Sequence, residues 1–400
     1  MSILKRNKNF FLLWQGQLVS QVGSKIYLIA LSWYFVAELR DNQGFVIALL
    51  VSSLPFLLFG FGAGPLVEKW NKKWIIFGSD YISSAISFVL AGLIYWEVQN
   101  PIYIYIAVFF LNISLVFFNP AVSSIIPAIV KKEDQQEAIS LNTTVQFGAQ
   151  FIGAALGGVL VGYIGVFYAI LFDAVSFFLS AVTEMFIKYV PQKVAVQESD
   201  KEESSSKSIY QYILDRPTIA KMFVLFSLVN IFLIPMTVYL PILIENYMKL
   251  GAKAFGFAES GLPIGAIIAS FYLAKKVITK NVRIVQYSVL LISIPFFLIF
   301  FGKSIYIIVV GMIIFGFFLN TTNISAISMY TREISSDYHG RFFTILNTVA
   351  YGSFPLAYLM AMGLIHHFNL YDIILVNGIL IAVTALLAFK FIKSTPETKS

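Results

Sequence analysis

Cysteine is absent from the chain, and histidine occurs only three times in 400 residues. Without cysteine, neither a disulfide nor a thiolate metal site can form, and so few histidines make zinc chemistry an unpromising interpretation. Charged residues are scarce too, at 12% of the chain, whereas soluble globular proteins carry roughly 25%. A chain with so little charge lacks the polar surface that it would need to face water on all sides.

Motifs that bind nucleotides or perform covalent catalysis are also missing. The tripeptide Gly302-Lys303-Ser304 matches the end of a phosphate-binding loop, but Phe297 occupies the position of the required first glycine. ATP is therefore not expected to be the direct energy source, and no cofactor is expected. No Ser-His-Asp arrangement stands out either, so we expect that the protein is not an enzyme.

Long uncharged stretches dominate what is present. The chain is 58% hydrophobic, its mean hydropathy is +0.80, and residues 45–67 contain no charge. A membrane-spanning helix needs about 20 apolar residues, whereas the strands of a membrane barrel alternate over about ten. The predicted fold class is therefore an all-α membrane protein. Its twelve transmembrane helices are expected near residues 10–37, 45–66, 74–96, 101–127, 140–163, 167–188, 219–245, 254–275, 283–302, 304–330, 341–365 and 370–391.

Lysine and arginine are distributed unequally between the loops. If the N-terminus is cytoplasmic, the inner segments carry 23 of the 28 basic residues and the outer segments carry 4. Cytoplasmic loops of membrane proteins are enriched in Lys and Arg. The sequence therefore predicts a multi-pass monomer in the bacterial cytoplasmic (inner or plasma) membrane, with both termini cytoplasmic. This enrichment of the inner segments in basic residues accounts for the net charge of +7. The expected partner is the lipid bilayer, and nucleic acid is not an expected partner.

A polar segment over residues 191–217, rich in Ser, Glu and Lys, is interpreted as a flexible cytoplasmic linker. It separates a predicted six-helix bundle over residues 1–190 from a second one over 218–400. The stretch "NPAVSSIIPAIVKKEDQQEAISLNT" starts at Asn119, and the similar stretch "NISAISMYTREISSDYHGRFFTILNT" starts at Asn323, 204 residues later. An internal repeat of spans is typical of transporters whose small-molecule site lies between two halves near mid-membrane.

The turn "GPLVEKWNKKW", residues 64–74, concentrates charge between the second and third spans. Its glycine lets two helices approach closely, and its glutamate can accept hydrogen bonds from a neighbouring helix N-terminus. Its lysines can pair with acids or anionic lipid headgroups, although topology alone also favours lysines in an inner loop. We interpret the group as a conformational latch, formed in one conformation and broken in the other. Its residues are Gly64, Glu68, Lys69, Lys72, Lys73 and Asp80.

Twelve spans, a central linker and this turn together resemble the major facilitator superfamily. The residues that correspond to its signature Gly-x-Leu-Ala-Asp-Arg-x-Gly-Arg-Lys are Gly64, Leu66, Val67, Glu68, Lys69, Asn71, Lys72 and Lys73. Glu stands for the usual Asp, Lys for Arg and Asn for the second Gly, while Asp80 resembles a further acidic partner of that region. The resemblance implies two pseudo-symmetric six-helix bundles that give alternating access to a central site.

The fifth span, "GAQFIGAALGGVLVGYIG", contains glycines at the spacing that lets helices pack backbone to backbone. It is similar to the glycine-rich signature of the family's proton-coupled exporters, although the proline of that signature is missing. Tight helix packing without a coupling role is the alternative. The predicted packing residues are Gly148, Gly153, Gly157 and Gly158.

The first span, "FFLLWQGQLVSQVGSKI", narrows the resemblance to the macrolide-efflux type of bacterial facilitators, and related siderophore exporters share much of the pattern. The shared residues are Trp14, Gly16, Gln17, Val19 and Ser20. Many proton-coupled drug exporters of this superfamily carry an arginine midway along the fourth span, where this chain has Asn112. A coupling mechanism through that arginine is therefore not expected here.

Ionisable groups within spans are costly, which makes each a functional candidate. Asp173 lies well inside the sixth span and Glu259 in the outer third of the eighth. Because burial favours the neutral form of a carboxyl group, both are predicted to bind the coupling proton. Lys25, midway along the first span, is expected either to pair with Asp173 or to attract an anionic substrate. Glu184, near the inner end of its span, is interpreted as a solvated boundary residue.

Uncharged polar side chains in spans tend to face the bundle interior, where they find partners. The predicted substrate-cavity residues are Gln17, Gln21, Lys25, Asn112, Gln146, Asn230, Asn320 and Asn323. The aromatic candidates for the cavity wall are Trp33, Tyr34, Phe117, Phe118, Tyr239, Phe317 and Phe318.

These features predict a secondary active transporter that exports a hydrophobic or amphipathic small molecule, of the drug or macrolide type, by antiport driven by the proton gradient. A siderophore exporter, in which Lys25 would meet an anionic cargo, is one alternative. An importer of a small metabolite on the same fold is another. A channel is disfavoured because two six-span halves indicate alternating access.

Overall fold

The computed structural model describes residues 3–98, 100–189, 209–274, 281–335 and 338–392. This part of the chain is helical and contains no strand. Residues 191–208 of the predicted linker lie outside it. The remaining linker residues are described and include a short helix, Ile209–Leu214.

The twelve predicted spans correspond to twelve long helices, numbered α1 to α12 in chain order. Helices α5 and α6 are the two parts of Gln135–Met185 on either side of Gly165. The other ten are α1 (Lys8–Trp33), α2 (Asn42–Lys69), α3 (Lys72–Tyr95), α4 (Ile102–Ile129), α7 (Pro217–Tyr247), α8 (Gly251–Ala274), α9 (Val282–Gly302), α10 (Ile305–Glu333), α11 (His339–His367) and α12 (Leu370–Phe391).

By length and composition alone, ten helical segments of the described chain are apolar enough to cross a membrane. The difference from twelve has two causes. Helices α5 and α6 form one segment, Lys132–Met185. Helix α1 falls outside the set because its glutamines and Lys25 lower its hydropathy. A polar first helix is what a protein needs if that helix lines a cavity rather than facing lipid.

Short polar residues cap the starts of two helices, and a glycine forms the turn between two others. The side chain of Asp41 accepts a hydrogen bond from the Gly44 amide at 2.8 Å, and Asn71 accepts one from Lys73 at 3.1 Å, so each caps the helix that follows. Gly165 has a φ of 87°, a left-handed conformation that glycine adopts without strain, and it reverses the chain between α5 and α6.

The backbone repeats between the two halves. Helices α1 and α7 both end in a π turn followed by a basic residue with a φ of 53°, Arg40 in one case and Lys249 in the other. Helices α3 and α9 both end near a non-glycine residue with positive φ, Glu97 at 51° and Lys303 at 44°. These paired irregularities support the internal repeat predicted from sequence.

The halves meet mainly through two helix pairs, α5 with α8 and α2 with α11. We call the face at which Ile3 and Ile392 lie the terminal face, and the opposite face, where α1 joins α2, the distal face. At the distal face, Asn246 Nδ2 donates to Asn42 Oδ1 at 3.2 Å, and Gln43 lies 3.2 Å from His366 Nδ1. Hydrogen bonds between the halves therefore close this end of the bundle.

Candidate functional site

A central cavity of about 370 Å³ lies between the two halves. Helices of both halves line it: α1, α2, α4 and α6 from the first, and α7, α8 and α11 from the second. Its wall is mainly apolar, and this size is within the range of small-molecule sites. The aromatic lining residues are Tyr27, Phe45, Phe56, Phe177, Phe255, Tyr351, Phe354 and Tyr358. The polar or charged ones are Ser24, Ser32, Ser52, Ser53, Asn112, Asp173, Thr237 and Glu259.

One ion pair joins the halves beside this cavity. Lys25 Nζ of α1 donates to Glu259 Oε1 of α8 at 2.7 Å, and the two side chains are 13% and 14% exposed. The predicted pairing of Lys25 with Asp173 is therefore wrong. The physical reason is the close approach of α1 and α5 at Gly153, where a Cβ atom would lie 2.6 Å from Lys25 Cβ. This approach holds the stem of Lys25 on the side of α1 next to α5, the helix that meets α8.

Asp173 is fully buried at the edge of the same cavity. Its Oδ2 atom accepts a hydrogen bond from Ser87 Oγ of α3 at 2.8 Å. Its Oδ1 atom has no hydrogen-bond partner among the described residues. Gly23 of α1 makes room for it, since a Cβ atom there would lie 3.1 Å from Oδ1. The carboxyl group is thus in a protein interior without a basic partner, but next to a space that a small molecule can enter.

Two further cavities continue from the central one toward the terminal face. One, of about 390 Å³, lies among α1, α3, α4, α5 and α6 and is lined by Gln21, Lys25, Asp80 and Gln146 among others. The other, of about 360 Å³, lies between the ends of α2, α4 and α11. Because the distal face is closed by hydrogen bonds and these spaces lie on the terminal side, the structure is in a terminal-open conformation.

Residues 13–358 match the family model of the Major Facilitator Superfamily. The chain belongs to this superfamily. It is 20% identical over 392 residues to macrolide efflux protein A of Streptococcus pyogenes, with 94% of each chain covered. It is 23% identical over 266 residues to the staphyloferrin A transporter of Staphylococcus aureus, covering 66% of this chain and 65% of that protein.

Solved structures agree on the fold. The crystal structure of the nucleoside transporter NupG superposes with a TM-score of 0.74 at 13% identity, covering 97% of this chain and all of that one. The chain is therefore a multi-pass membrane transporter with the two-bundle fold of the superfamily, whose members are generally not enzymes.

Four of the predicted substrate residues lie at the cavities of this major facilitator protein. Asn112 lines the central cavity, and Gln21, Lys25 and Gln146 line its neighbour on the terminal side. The Asn112 side chain also donates to the Val108 carbonyl of its own helix at 2.8 Å. The amide group keeps a second N–H and its carbonyl oxygen, so Asn112 can both donate to and accept from a cargo molecule.

The other four do not line the described cavities. Gln17 is 1% exposed, and its side-chain oxygen accepts from Gln21 at 3.4 Å. Asn320 donates to the Ala266 carbonyl at 2.7 Å and to Ser270 Oγ at 2.8 Å, so it joins α10 to α8. Neither Asn230 nor Asn323 is among the lining residues. Polar residues in spans do find partners, but the partner of Gln17 lies on its own helix and those of Asn320 lie on a neighbouring helix.

The aromatic wall is formed by other residues than those predicted. Phe118 lines the terminal-side cavity, but no predicted aromatic lines the central one. Tyr239, for example, is fully buried against other helices. The actual wall residues Phe56, Tyr351 and Tyr358 lie on α2 and α11, which the sequence alone does not identify as facing each other.

The residues of the proposed latch are not joined to one another in this conformation. Glu68 and Lys69 are exposed, and Lys73 lies over the ring of Trp74 with 5.3 Å between Nζ and the ring centroid. None of the four charged turn residues forms an ion pair within the described chain. Asp80 is only 2% exposed and lies against α6, so it is separated from the turn. The latch stays a prediction for another conformation.

The predicted packing glycines differ in their surroundings. Gly153 and Gly157 pack against α1, and Gly158 packs against α8, where its added Cβ atom would lie 2.7 Å from the α-carbon of Gly256. These three confirm close packing. Gly148 and Gly64 have no described atom within 4 Å of an added Cβ, so neither is a packing residue in this conformation. Both lie in the half of their helices nearer the terminal face, where the bundles are apart.

Glu184 is not a solvated boundary residue. It is 0% exposed, and its Oε1 atom accepts a hydrogen bond from Ser180 Oγ at 3.4 Å. The interpretation failed because it considered depth along the helix alone. The face of α6 that carries Glu184 packs against α1 and α3, whereas the lipid-facing side carries Met185 and Phe186.

Proposed function

We propose that this transporter exports a hydrophobic or amphipathic small molecule, of the macrolide or drug type, in exchange for protons. The observation that carries the proposal is the central cavity, whose apolar and aromatic wall is contributed by both halves. Such a wall suits a cargo that binds mainly by apolar contact, with a few hydroxyl and amide groups to orient it. The relative named macrolide efflux protein A supports this class of cargo.

The direction rests on orientation. The inner segments of the predicted topology carry most of the basic residues, which favours a cytoplasmic terminal face in a bacterial cytoplasmic membrane. The terminal-open cavity would then receive cargo from the cytoplasm or the inner leaflet. Because one chain supplies both halves of the cavity, a monomer is sufficient for this cycle.

Coupling is assigned to Asp173 and Glu259. Both line the central cavity, one on each half. A proton on Glu259 removes the negative charge that holds Lys25, which weakens the ion pair between the halves. A proton on Asp173 removes an uncompensated buried charge at the cavity edge. In each case proton binding removes a negative charge from the wall of the cavity that the cargo occupies.

The experiment uses the full chain in proteoliposomes with the fluorescent lipophilic cation ethidium as cargo. Asp173→Asn is expected to abolish transport driven by a pH gradient while leaving ethidium counterflow, which needs no net proton movement, at the wild-type rate. Asp372→Asn, an exposed carboxylate at the start of α12, is the matched control and should behave as wild type. Full gradient-driven transport by Asp173→Asn would remove Asp173 from the coupling mechanism. Ethidium movement in the direction opposite to that expected for export, under the same pH gradient, would indicate an importer.

Siderophore export is the second candidate, because Lys25 lies at a cavity and the staphyloferrin A transporter is a relative. An anionic cargo would compete with Glu259 for the Lys25 ammonium group. Deletion of the gene separates the candidates. Lost siderophore secretion in iron-poor medium with unchanged macrolide and dye sensitivity would favour the siderophore, and the reverse pattern would favour the drug.

A further inference from the structure

A polar stripe runs along the interface of α3 and α6, which we call the acid–serine stripe. Its members recur at helical spacing on the facing sides of both helices. They are Asp80, Ser84 and Ser87 on α3, and Asp173, Ser176, Ser180 and Glu184 on α6. All seven are at most 3% exposed. The stripe extends from Glu184, in the last turn of α6 near the terminal face, to Asp173 at the central cavity.

Side-chain hydrogen bonds occur at both ends of the stripe, and a serine between them bonds to the backbone of α6. Ser87 donates to Asp173 at the cavity end, and Ser84 Oγ donates to the Ala174 carbonyl at 2.8 Å. Toward the terminal face, Ser180 lies within hydrogen-bonding reach of both Asp80 and Glu184. Helix α1 covers these groups closely, and Gly16 and Gly23 leave room for them.

Neighbouring carboxyl groups of the stripe also interact electrostatically. Asp173 interacts with Asp80, and Asp80 interacts with Glu184. A proton that moves along the stripe therefore changes the electrostatic environment of the next acid.

Each acid keeps one buried oxygen without a donor among the described residues: Asp80 Oδ2, Asp173 Oδ1 and Glu184 Oε2. The charged groups on the covering side do not neutralise them, because Lys25 of α1 is bound to Glu259 of α8. The Tyr27 hydroxyl of α1 is also buried, unpartnered and electrostatically linked to Asp173. Buried carboxylates without counter-ions are very costly, so these oxygens require a proton or a cation.

Two acids of the stripe reach different spaces. Asp173 lines the central cavity, and Asp80 lines the cavity on its terminal side together with Gln21 and Gln146. Within the described chain, no three His, Asp or Glu side chains are grouped as metal ligands would be. A spaced series of acids and hydroxyls between two cavities suits a proton better than a metal ion.

We propose that the acid–serine stripe is the proton path of this transporter, with Asp80 exchanging protons with the terminal side and Asp173 with the cargo cavity. The inference deepens the proposed antiport and rests on it. During export, a hydronium ion that reaches the cargo cavity from the distal side protonates the Asp173 carboxylate and leaves water. The proton then passes along the stripe to the Asp80 carboxylate, which leaves Asp173 ionised again, and Asp80 releases it to water in the terminal-side cavity. Glu184 shares Ser180 with Asp80, so a proton on one carboxyl group is available to the other.

The test compares Asp80→Asn with Asp173→Asn and Glu133→Gln in proteoliposomes, with ethidium as cargo and an entrapped pH-sensitive dye. Glu133 is an exposed acid in the turn before α5 and is the matched control. Losing a positioned proton-transfer group typically costs on the order of a hundredfold in rate. We expect Asp80→Asn to lower gradient-driven transport and cargo-dependent proton flux by about that factor. Its ethidium counterflow should match wild type, which also shows that it is folded.

Normal proton flux in Asp80→Asn alongside its loss in Asp173→Asn would overturn the path and leave the proposed antiport intact. Normal flux in Asp173→Asn would instead contradict the antiport assignment itself. Transport driven by a sodium gradient, and lost in Asp80→Asn, would identify a sodium site and overturn the proton path.

A second readout needs no cargo. Infrared spectra of the full chain should contain carboxylic acid C=O bands at neutral pH, one of which disappears in Asp80→Asn and another in Glu184→Gln. Glu133→Gln should remove none. Unchanged bands in both stripe variants would show that these acids carry no proton and would overturn the proposal.

Discussion

Lys25 of α1 and Glu259 of α8 form an ion pair that joins the two halves of the transporter, with 2.7 Å between Nζ and Oε1. The pair lies where the closed distal part of the bundle meets the open terminal part. Both side chains are largely shielded from water, so their attraction is screened less than that of a surface pair. The ion pair is therefore expected to affect both the free energy of unfolding and the rate at which the two halves change conformation.

Removing either partner of this pair should destabilise the protein strongly. Lys25→Met leaves a partly buried carboxylate and Glu259→Gln a partly buried ammonium, so each change should cost more than the loss of an exposed pair, up to about 3–5 kcal/mol. The double variant should recover most of that loss because no charge is left unpaired. The free energy of unfolding in detergent measures the effect.

Arg6→Met supplies the comparison for this experiment. Arg6 pairs with Asp134 and Glu137 at the terminal face, where its side chain is 47% exposed. Its loss should cost about 0–1 kcal/mol. If the Lys25 and Glu259 variants lost no more than Arg6→Met, the ion pair between the halves would have no special role.

Bulk at Gly158 should open the distal face. Gly158 packs directly against Gly256 of the other half, so Gly158→Val forces α5 and α8 apart there at a cost of about 1–3 kcal/mol to this conformation. The population should shift away from the terminal-open state. A cysteine introduced at Ser52, in the central cavity, would then react more slowly with an impermeant maleimide from the terminal side.

The chain has no cysteine, so this labelling needs no prior substitution. Gly148→Val is the matched control, because an added Cβ at Gly148 meets no described atom within 4 Å. Equal labelling rates in the two valine variants would contradict the assignment of Gly158 as a residue that closes the distal face.

A covalent link across the distal face should stop transport. Asn42 and Asn246 are hydrogen bonded across the halves at 3.2 Å. Cysteines at both positions, joined by a short bifunctional maleimide, are expected to hold the distal face closed and abolish net cargo movement. Transport assays before and after cross-linking, with each single-cysteine variant treated in the same way, give the measurement. Transport at the uncross-linked rate would mean that this face does not open.

Substitutions at two asparagines should distinguish a structural role from a cargo-binding role. Asn320→Leu removes two hydrogen bonds between α10 and α8, which should lower stability by about 1–3 kcal/mol. Transport by the folded fraction should keep its KM. Asn112→Leu, at the central cavity, should alter KM with little effect on stability. The reverse pattern would mean that Asn320 binds cargo.

The twelve spans and their repeat could be predicted from sequence because hydropathy, turn residues and charge distribution are local properties. The glutamate partner of Lys25 could not be predicted, because it lies 234 residues away in the other half. That partnership depends on how close α1, α5 and α8 approach one another. Gln17 and Gln21 show the same limit, since they are one turn apart but only the second reaches a cavity.

The acid–serine stripe did leave a signal in the sequence. In α3, Asp80, Ser84 and Ser87 are spaced as one helical face, and α6 has a matching set from Asp173 to Glu184. A search for polar periodicity within apolar spans would have found both sets. Spacing alone does not show that the two faces pack against each other. That packing is the reason why Glu184 lies in the protein interior.

Gly165 connects α5, which packs against α8 at Gly158, to α6, which carries Asp173. Gly158 lies seven residues before it on α5 and Asp173 eight residues after it on α6, so both are about two turns from the same left-handed hinge. No loop intervenes to absorb movement. A tilt of α6 on proton uptake must either twist the backbone at this one glycine or move α5 with it, as the arms of a hairpin move together. A movement of the helix that carries Asp173 is therefore transmitted directly to the helix that packs against α8 at the distal face.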